Sequence, residues 1–289
     1  MKILALDSSG LTASVAVLEE DKLTAEYSVN YKKTHSQTLI PMLDAVRSMT
    51  ELDLATVDAV AVAAGPGSFT GLRIGSATAK GLGLALGCPI IPVPTVDALA
   101  YQMYGLHQVI CPMMDARRSQ IYSGLYEFVR EGADSPIKYG LHILKEQCVV
   151  PVEEIAGCCN AYGREVIFLG DGVPVYAQAL ADLLEVPYSF APAHRRLQSA
   201  AAVAVYGRVL YQQGVYESAA EHRPVYLRLS QAERERLEKE SKDDTLYAGW
   251  RKGTCNRSAT SNPVAFLCLG HMIYSETVYF EKSMFILCL

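Results

Sequence analysis

The segment Gly65-Pro66-Gly67-Ser68-Phe69-Thr70-Gly71-Leu72-Arg73-Ile74-Gly75 decides how the chain is read. An apolar run, residues 57–64, leads into it, and small and apolar residues continue to Leu86. A short buried strand that breaks at glycines and resumes with helical spacing is a strand-to-helix junction of an α/β unit. Gly65, Gly67 and Gly71 permit positive φ and close backbone approach. A helix N-terminus also offers free N–H groups to an anion. Two readings follow: a phosphate cradle built with Ser68, or a tight turn that seats the helix on its sheet. The segment is not a Walker A loop, because no Lys-Ser or Lys-Thr pair follows Gly71. It is not G-x-G-x-x-G either, since the third glycine comes one residue too late.

The helix opened here carries Gly71, Gly75, Ala79, Gly83 and Gly87 at every fourth position. An interior glycine costs about 1 kcal/mol of helix propensity relative to alanine. A row of small residues lets another helix approach closely. The partner is either a helix of the same lobe or another subunit. Gly87 is the expected C-terminal stop. Ile90 to Val93 reads as a strand, and Thr95 as the cap of a helix running to about Met103.

Upstream, residues 2–7, 12–18 and 23–29 read as three antiparallel strands joined by polar turns. A helix over 34–49 follows, capped by Thr34 or Ser36, with Leu39, Leu43 and Val46 on one face. Pro41 predicts a late start or a kink. The pattern then recurs. Residues 109–128 repeat a strand ending in aspartate, a short polar turn and a second strand, so that Asp115 mirrors Asp7. Val166 to Gly172 repeats the strand-then-glycine pattern. Two related β-β-β-α-β-α lobes imply an α/β protein on the plan of the actin, Hsp70 and sugar-kinase (ribonuclease H-like) superfold. The expected division is an N-terminal lobe at 1–105, a C-terminal lobe at 106–240, and an atypical tail at 241–289. The tail holds Trp250, Cys255, Cys268 and Cys288 and shows no periodicity.

The net charge of -5 and the absence of a basic run argue against a chain that grips RNA alone. No apolar stretch reaches the roughly 18 residues of a membrane helix, and the N-terminal apolar run is too short for a signal core. The cytoplasm is the expected compartment, without membrane attachment. No Cys-x-x-Cys pair occurs, so the cysteines read as reduced thiols rather than metal ligands.

Asp7, Ser8, Gly65, Gly67 and Ser68 are the candidates for a position near an anion or nucleotide, because the strand-end turn and the glycine junction face the interlobe cleft in such a plan. Simple turn chemistry accounts equally for Asp7 and Ser8. His35 would need a second histidine one helical turn on to hold a metal, and that position is Leu39. No metal site, Ser/His/Asp set or reactive-cysteine signature is evident. A scaffold subunit, a stand-alone ATPase or phosphotransferase, and a metallopeptidase are the competing functional classes.

The chain resembles the TsaB (YeaZ-like) family over about residues 1–240. The resemblance rests on Asp7-Ser8-Ser9, Thr34-His35-Ser36, the whole of Gly65 to Gly75, Met114-Asp115-Ala116-Arg117-Arg118, Gly170-Asp171-Gly172 and Pro224 to Arg228. It implies a non-catalytic, dimerising subunit of the tRNA threonylcarbamoyladenosine synthase complex. Such a subunit binds and activates the TsaD-like catalytic paralogue, which modifies N6 of the tRNA adenosine beside the anticodon. It implies a homodimer when the chain is alone, a TsaE-like ATPase as third partner, and tRNA contact only through the complex. No cofactor is implied for this chain itself, with ATP and a metal on partner subunits. By position, the implied partner surface is the first two helices, through His35, Leu39, Leu43, Val46, Gly71, Arg73, Gly75, Ala79 and Gly83. The tail lies outside the resemblance. Its removal is expected to leave self-association intact, as gel filtration of a chain lacking residues 241–289 would show; loss of the soluble dimer contradicts this.

Overall fold

The computed structural model describes residues 1–132 and 139–228. The charged stretch 231–240 and the tail lie outside the described residues. In chain order the first half runs β1 (Lys2–Asp7), β2 (Ala13–Glu19), β3 (Lys22–Val29), α1 (His35–Met49), a 3-10 turn (Leu54–Thr56), β4 (Ala59–Gly65), α2 (Phe69–Leu86), β5 (Ile90–Pro94) and α3 (Thr95–Tyr101). The second half runs β6 (Val109–Asp115), β7 (Gln120–Arg130), β8 (Tyr139–Pro151), α4 (Val152–Tyr162), β9 (Val166–Leu169), α5 (Val173–Leu183) and β10 (Tyr188–Phe190). Two more helices, α6 (Ala193–Arg196) and α7 (Ala200–Gln212), end the regular structure.

The first sheet has the order β3-β2-β1-β4-β5 and the second β10-β9-β6-β7-β8. Read from its other edge, the second places its strands third, second, first, fourth, fifth, as the first does. In each sheet the opening three strands pair antiparallel and the fourth lies parallel to the first. The fold is therefore a duplicated α/β unit of the actin and sugar-kinase superfold.

Strand alternation sorts the core. Leu4 and Leu6 of β1 pack with Val15, Val17, Leu39, Leu43 and Val46 beneath α1 and α2. Their neighbours Ile3 and Ala5 turn to the opposite face and meet Ala16, Ala61, Val93, Ala200, Val203 and Ala204. The period of two delivers successive side chains to opposite faces, so β1 needs cover on both. On the second sheet, Val109, Cys111 and Phe168 pack with Ile155 and Leu180 from α4 and α5. Ile110, Met114 and Leu169 pack with Val96, Leu99 and Tyr101 of α3.

The expected lobe boundary needs correction. Residues 200–225 pack chiefly on the first sheet, with Val205, Tyr206 and Val209 also reaching the core beside the second. Helix α7 packs across β1, β2 and β5, and Gly207 brings it against Ala61, Ile91 and Val93. Beyond α7, Glu217 exchanges backbone hydrogen bonds with Ile90, and Val225 N–H donates to the Ala64 carbonyl at 2.7 Å. The physical reason is the apolar second face of the first sheet, which the short α3 cannot cover. Smaller corrections concern helix ends. Helix α3 stops at Tyr101, and Thr95 is its first residue rather than its cap. The Thr95 hydroxyl instead accepts from Gly65 N–H at 3.1 Å. Thr34 occupies the N-cap of α1 without a side-chain cap bond, and the helix begins at His35 and continues past Pro41 to Met49. Gly87 ends α2 in the left-handed conformation, as expected.

Gly157 lies exposed inside α4 with nothing near the place a Cβ would take. Gly157→Ala is expected to raise unfolding free energy by about 0.5–1 kcal/mol, measured by urea denaturation. A loss of stability contradicts the described helix.

Candidate functional site

The strand-end turn and the glycine junction meet. Asp7 Oδ1 accepts from Ser9 N–H at 2.8 Å and from the Ser9 hydroxyl at 2.6 Å. Ser8 Oγ donates to the Gly71 carbonyl at 2.9 Å. Ser68 N–H donates to the Ser9 carbonyl at 2.7 Å, and Ser68 Oγ caps α2 by accepting from Gly71 N–H. A Cβ on Gly67 or Gly71 would lie closer to the carbonyl oxygen of Ser9 or Ser8 than any real Cβ contact allows. Gly65, at φ +124°, is pressed in the same way against the Val225 carbonyl. Asp7, Ser8 and Ser9 are all buried. The expected anion-facing set is thus brought together, with Gly67 and Gly71 packed directly on the Ser9 and Ser8 carbonyls.

The second lobe repeats the device. Asp115 Oδ1 accepts from Arg117 N–H at 2.8 Å, as Asp7 does from Ser9. Gly170, at φ +109°, and Gly172 crowd the Met113 carbonyl, and Gly172 N–H donates to it at 2.9 Å. Asp171 Oδ1 accepts from Asp115 N–H at 3.2 Å. Burial pushes the Asp7 carboxyl up to about 6, against the bonds from Ser9. Burial also pushes Asp171 up to about 6, with the neighbouring Asp115 carboxylate adding to the rise.

His35 Nε2–H donates to the Gly10 carbonyl at 2.9 Å, tying α1 to the β1–β2 turn, while Nδ1 is buried and unpartnered. Among the described residues, no group of three or more His, Cys, Asp or Glu side chains is placed to hold a metal ion. None of the described helices is long and apolar enough to cross a membrane.

The family model described as "TsaD: tRNA N6-adenosine threonylcarbamoyltransferase" matches residues 22–236. The Bacillus subtilis protein named tRNA threonylcarbamoyladenosine biosynthesis protein TsaB is 31% identical over 240 residues, 82% of this chain and 99% of the relative. The chain belongs to the TsaB family. The Haemophilus influenzae protein of the same name is 31% identical over 79% of this chain and 94% of its own length. The solved structure of YeaZ from Pseudomonas aeruginosa superposes with a TM-score of 0.66 at 26% identity, covering 78% of this chain and 99% of that one.

For this member of the TsaB family, the partner surface inferred by position must be redrawn. Leu39, Leu43 and Val46 are buried in the chain's own core. Gly71 and Gly75 face Ser8, Ala79 is fully buried, and Gly83 faces Ala219, Cys88 and Ile90. These residues cannot meet another subunit. Of the expected set, only Arg73 is exposed, and His35 is half-buried on its own turn. What α1 and α2 present outward is different: Ile40 and Met49 on α1, and Ala77, Gly81, Leu84 and Ala85 on α2. Sequence reasoning used only Pro224 to Tyr226 and the two residues after them, for the family resemblance, and gave the segment 217–226 no site. It carries no periodicity, yet it packs along α2 and contributes His222, Arg223 and Tyr226 beside Arg73 and Lys80.

The raised carboxyls predict a pH dependence. With a folded value near 6 against an ordinary 3.8, Asp171 binds more proton in the folded state. Its ionisation therefore lowers stability as pH rises through that window. Asp171→Asn keeps an acceptor for Asp115 N–H and removes the buried charge. It is expected to stabilise by on the order of 2 kcal/mol at pH 8 and little at pH 4, read by thermal melts at both. Equal effects at the two pH values contradict the assignment.

Proposed function

We propose that the chain is a non-catalytic subunit in the biosynthesis of tRNA threonylcarbamoyladenosine. It binds a TsaD-like catalytic paralogue through the outer faces of α1 and α2 and activates it for N6-threonylcarbamoylation of the tRNA adenosine beside the anticodon. Family membership supports the pathway. The observation that supports the surface is Gly81. It sits inside α2, exposed, with nothing within 4 Å of a would-be Cβ. The chain's own packing gives no reason to tolerate the roughly 1 kcal/mol this glycine costs a helix. Ala77 and Ala85 lie one turn to either side and are exposed too. Such a stripe lets a second helix come close. Ile40, at 53% exposure, and Leu84, at 66%, flank it with apolar area that gains from being covered.

On this reading the same surface makes a homodimer when the chain is alone. A TsaE-like ATPase joins the complex, ATP and metal belong to the partner subunits, and tRNA is met through the assembly in the cytoplasm. The filled junction between Ser8-Ser9 and Gly65 to Gly71 favours this over a stand-alone ATPase or phosphotransferase.

The double substitution Gly81→Arg with Leu84→Asp tests the surface. It is expected to weaken association with the catalytic paralogue at least about tenfold and to leave the far-UV circular dichroism unchanged. Undiminished co-elution on gel filtration contradicts the proposal.

A further inference from the structure

A depression of about 480 Å³ lies between α2 and the segment 222–226, lined by Arg73, Ser76, Lys80, His222, Arg223 and Tyr226 among others. Its size suits a small ligand. Three observations give it a chemical character. Arg73, Lys80 and Arg223 converge on it, and among the described residues none of the three pairs with a carboxylate. In a chain of net charge -5, three uncompensated cations around one concavity form a local field of opposite sign, which concentrates anions.

Two of the cations are also held in place. The Arg73 guanidinium lies over the Phe69 ring at 4.0 Å, and its Nε–H donates to the Tyr226 hydroxyl at 3.3 Å. That leaves its two terminal nitrogens free. Lys80 Nζ donates to the Ala220 and His222 carbonyls at 3.0 and 2.9 Å, leaving one of its three donors unspent. Orientation by neutral partners keeps the charge available to a ligand.

The third observation is His222. Its ring is fully buried, Nδ1 sits 2.7 Å from Glu217 Oε1, and Nε2 has no partner. The residue lines the depression, and its unpaired buried nitrogen is a cost the fold carries beside it. Glu217 and Glu221 are the carboxylates of this segment. Glu217 is bound to His222 and Glu221 to Ser218, so neither neutralises the three cations.

We infer that this depression binds a phosphate-class oxyanion, held by Arg73, Lys80 and Arg223. The phosphate comes either from a small phosphorylated molecule or from an RNA backbone. The inference stands on the isolated chain and does not require α2 to bind a partner.

The test is calorimetric titration of the full-length chain with inorganic tripolyphosphate and, separately, with a short single-stranded RNA. Wild type, Arg223→Gln and Arg223→Lys are compared. Arg223 is exposed, so its variants are expected to fold normally, which circular dichroism checks. Saturable binding of tripolyphosphate is expected. Arg223→Gln should weaken it about tenfold or more, as for loss of a charge-assisted hydrogen bond, and Arg223→Lys should restore most of it. Binding confined to the RNA arm with the same dependence on Arg223 assigns the site to backbone phosphate. No saturable binding in either arm, or binding that Arg223→Gln leaves unchanged, overturns the inference.

Discussion

The structure depends on one backbone contact, the seating of the glycine junction against the Ser8-Ser9 turn. Gly67 and Gly71 have no room for a side chain because the carbonyls of Ser9 and Ser8 occupy it. In return, Ser68 N–H finds the Ser9 carbonyl and Ser8 Oγ finds the Gly71 carbonyl. The contact fixes the direction in which α2 leaves β4. It thereby sets which face of α2 turns to the sheet and which turns to solvent. Structure and proposed role are linked here: a junction spent on internal packing leaves the outer face of the helix as its working surface.

The second lobe shows that this is a property of the duplicated unit. Gly170 and Gly172 press on the Met113 carbonyl, and Asp115 folds its turn as Asp7 does. The lobes differ in what covers them. The first sheet has α1 and α2 on one face and α7 on the other, while the second shares α3 with the seam between the halves. Asp97 of α3 lies in that seam, pushed up to about 6 by burial and accepting from the Tyr126 hydroxyl at 2.7 Å. The two halves are joined by a buried polar contact as well as apolar packing.

Much of this was legible in the sequence because strands and glycine junctions are local signals. The period of two identified the meander at 2–29, and the recurrence of strand, aspartate and turn at 109–115 identified the duplication. What failed was the assignment of faces. Gly71, Gly75, Ala79 and Gly83 form one four-residue ladder, and Ala77, Gly81 and Ala85 form another, offset by two residues and so by about 200° around the helix. Spacing alone cannot say which ladder turns inward; the Ser8-Ser9 turn, some sixty residues earlier, decides it. The return of α7 to the first sheet was hidden for a similar reason. Its small, apolar face fits either lobe, and only the uncovered side of β1 and β4 selects one. The irregular segment 217–226 has no period to read, so the cluster that its Arg223 forms with Arg73 and Lys80 of α2 emerges only in three dimensions.

The central claim is that the chain acts by binding a catalytic partner rather than through its own cleft. Threonylcarbamoylation of tRNA by the TsaD-like paralogue, with its other partners and ATP supplied, measures this most directly when assayed with and without the chain. The account predicts little product without the chain, strong stimulation when it is added in equimolar amount, and none from the chain without the paralogue. A paralogue equally active in its absence, or product formed by the chain without the paralogue, would contradict it.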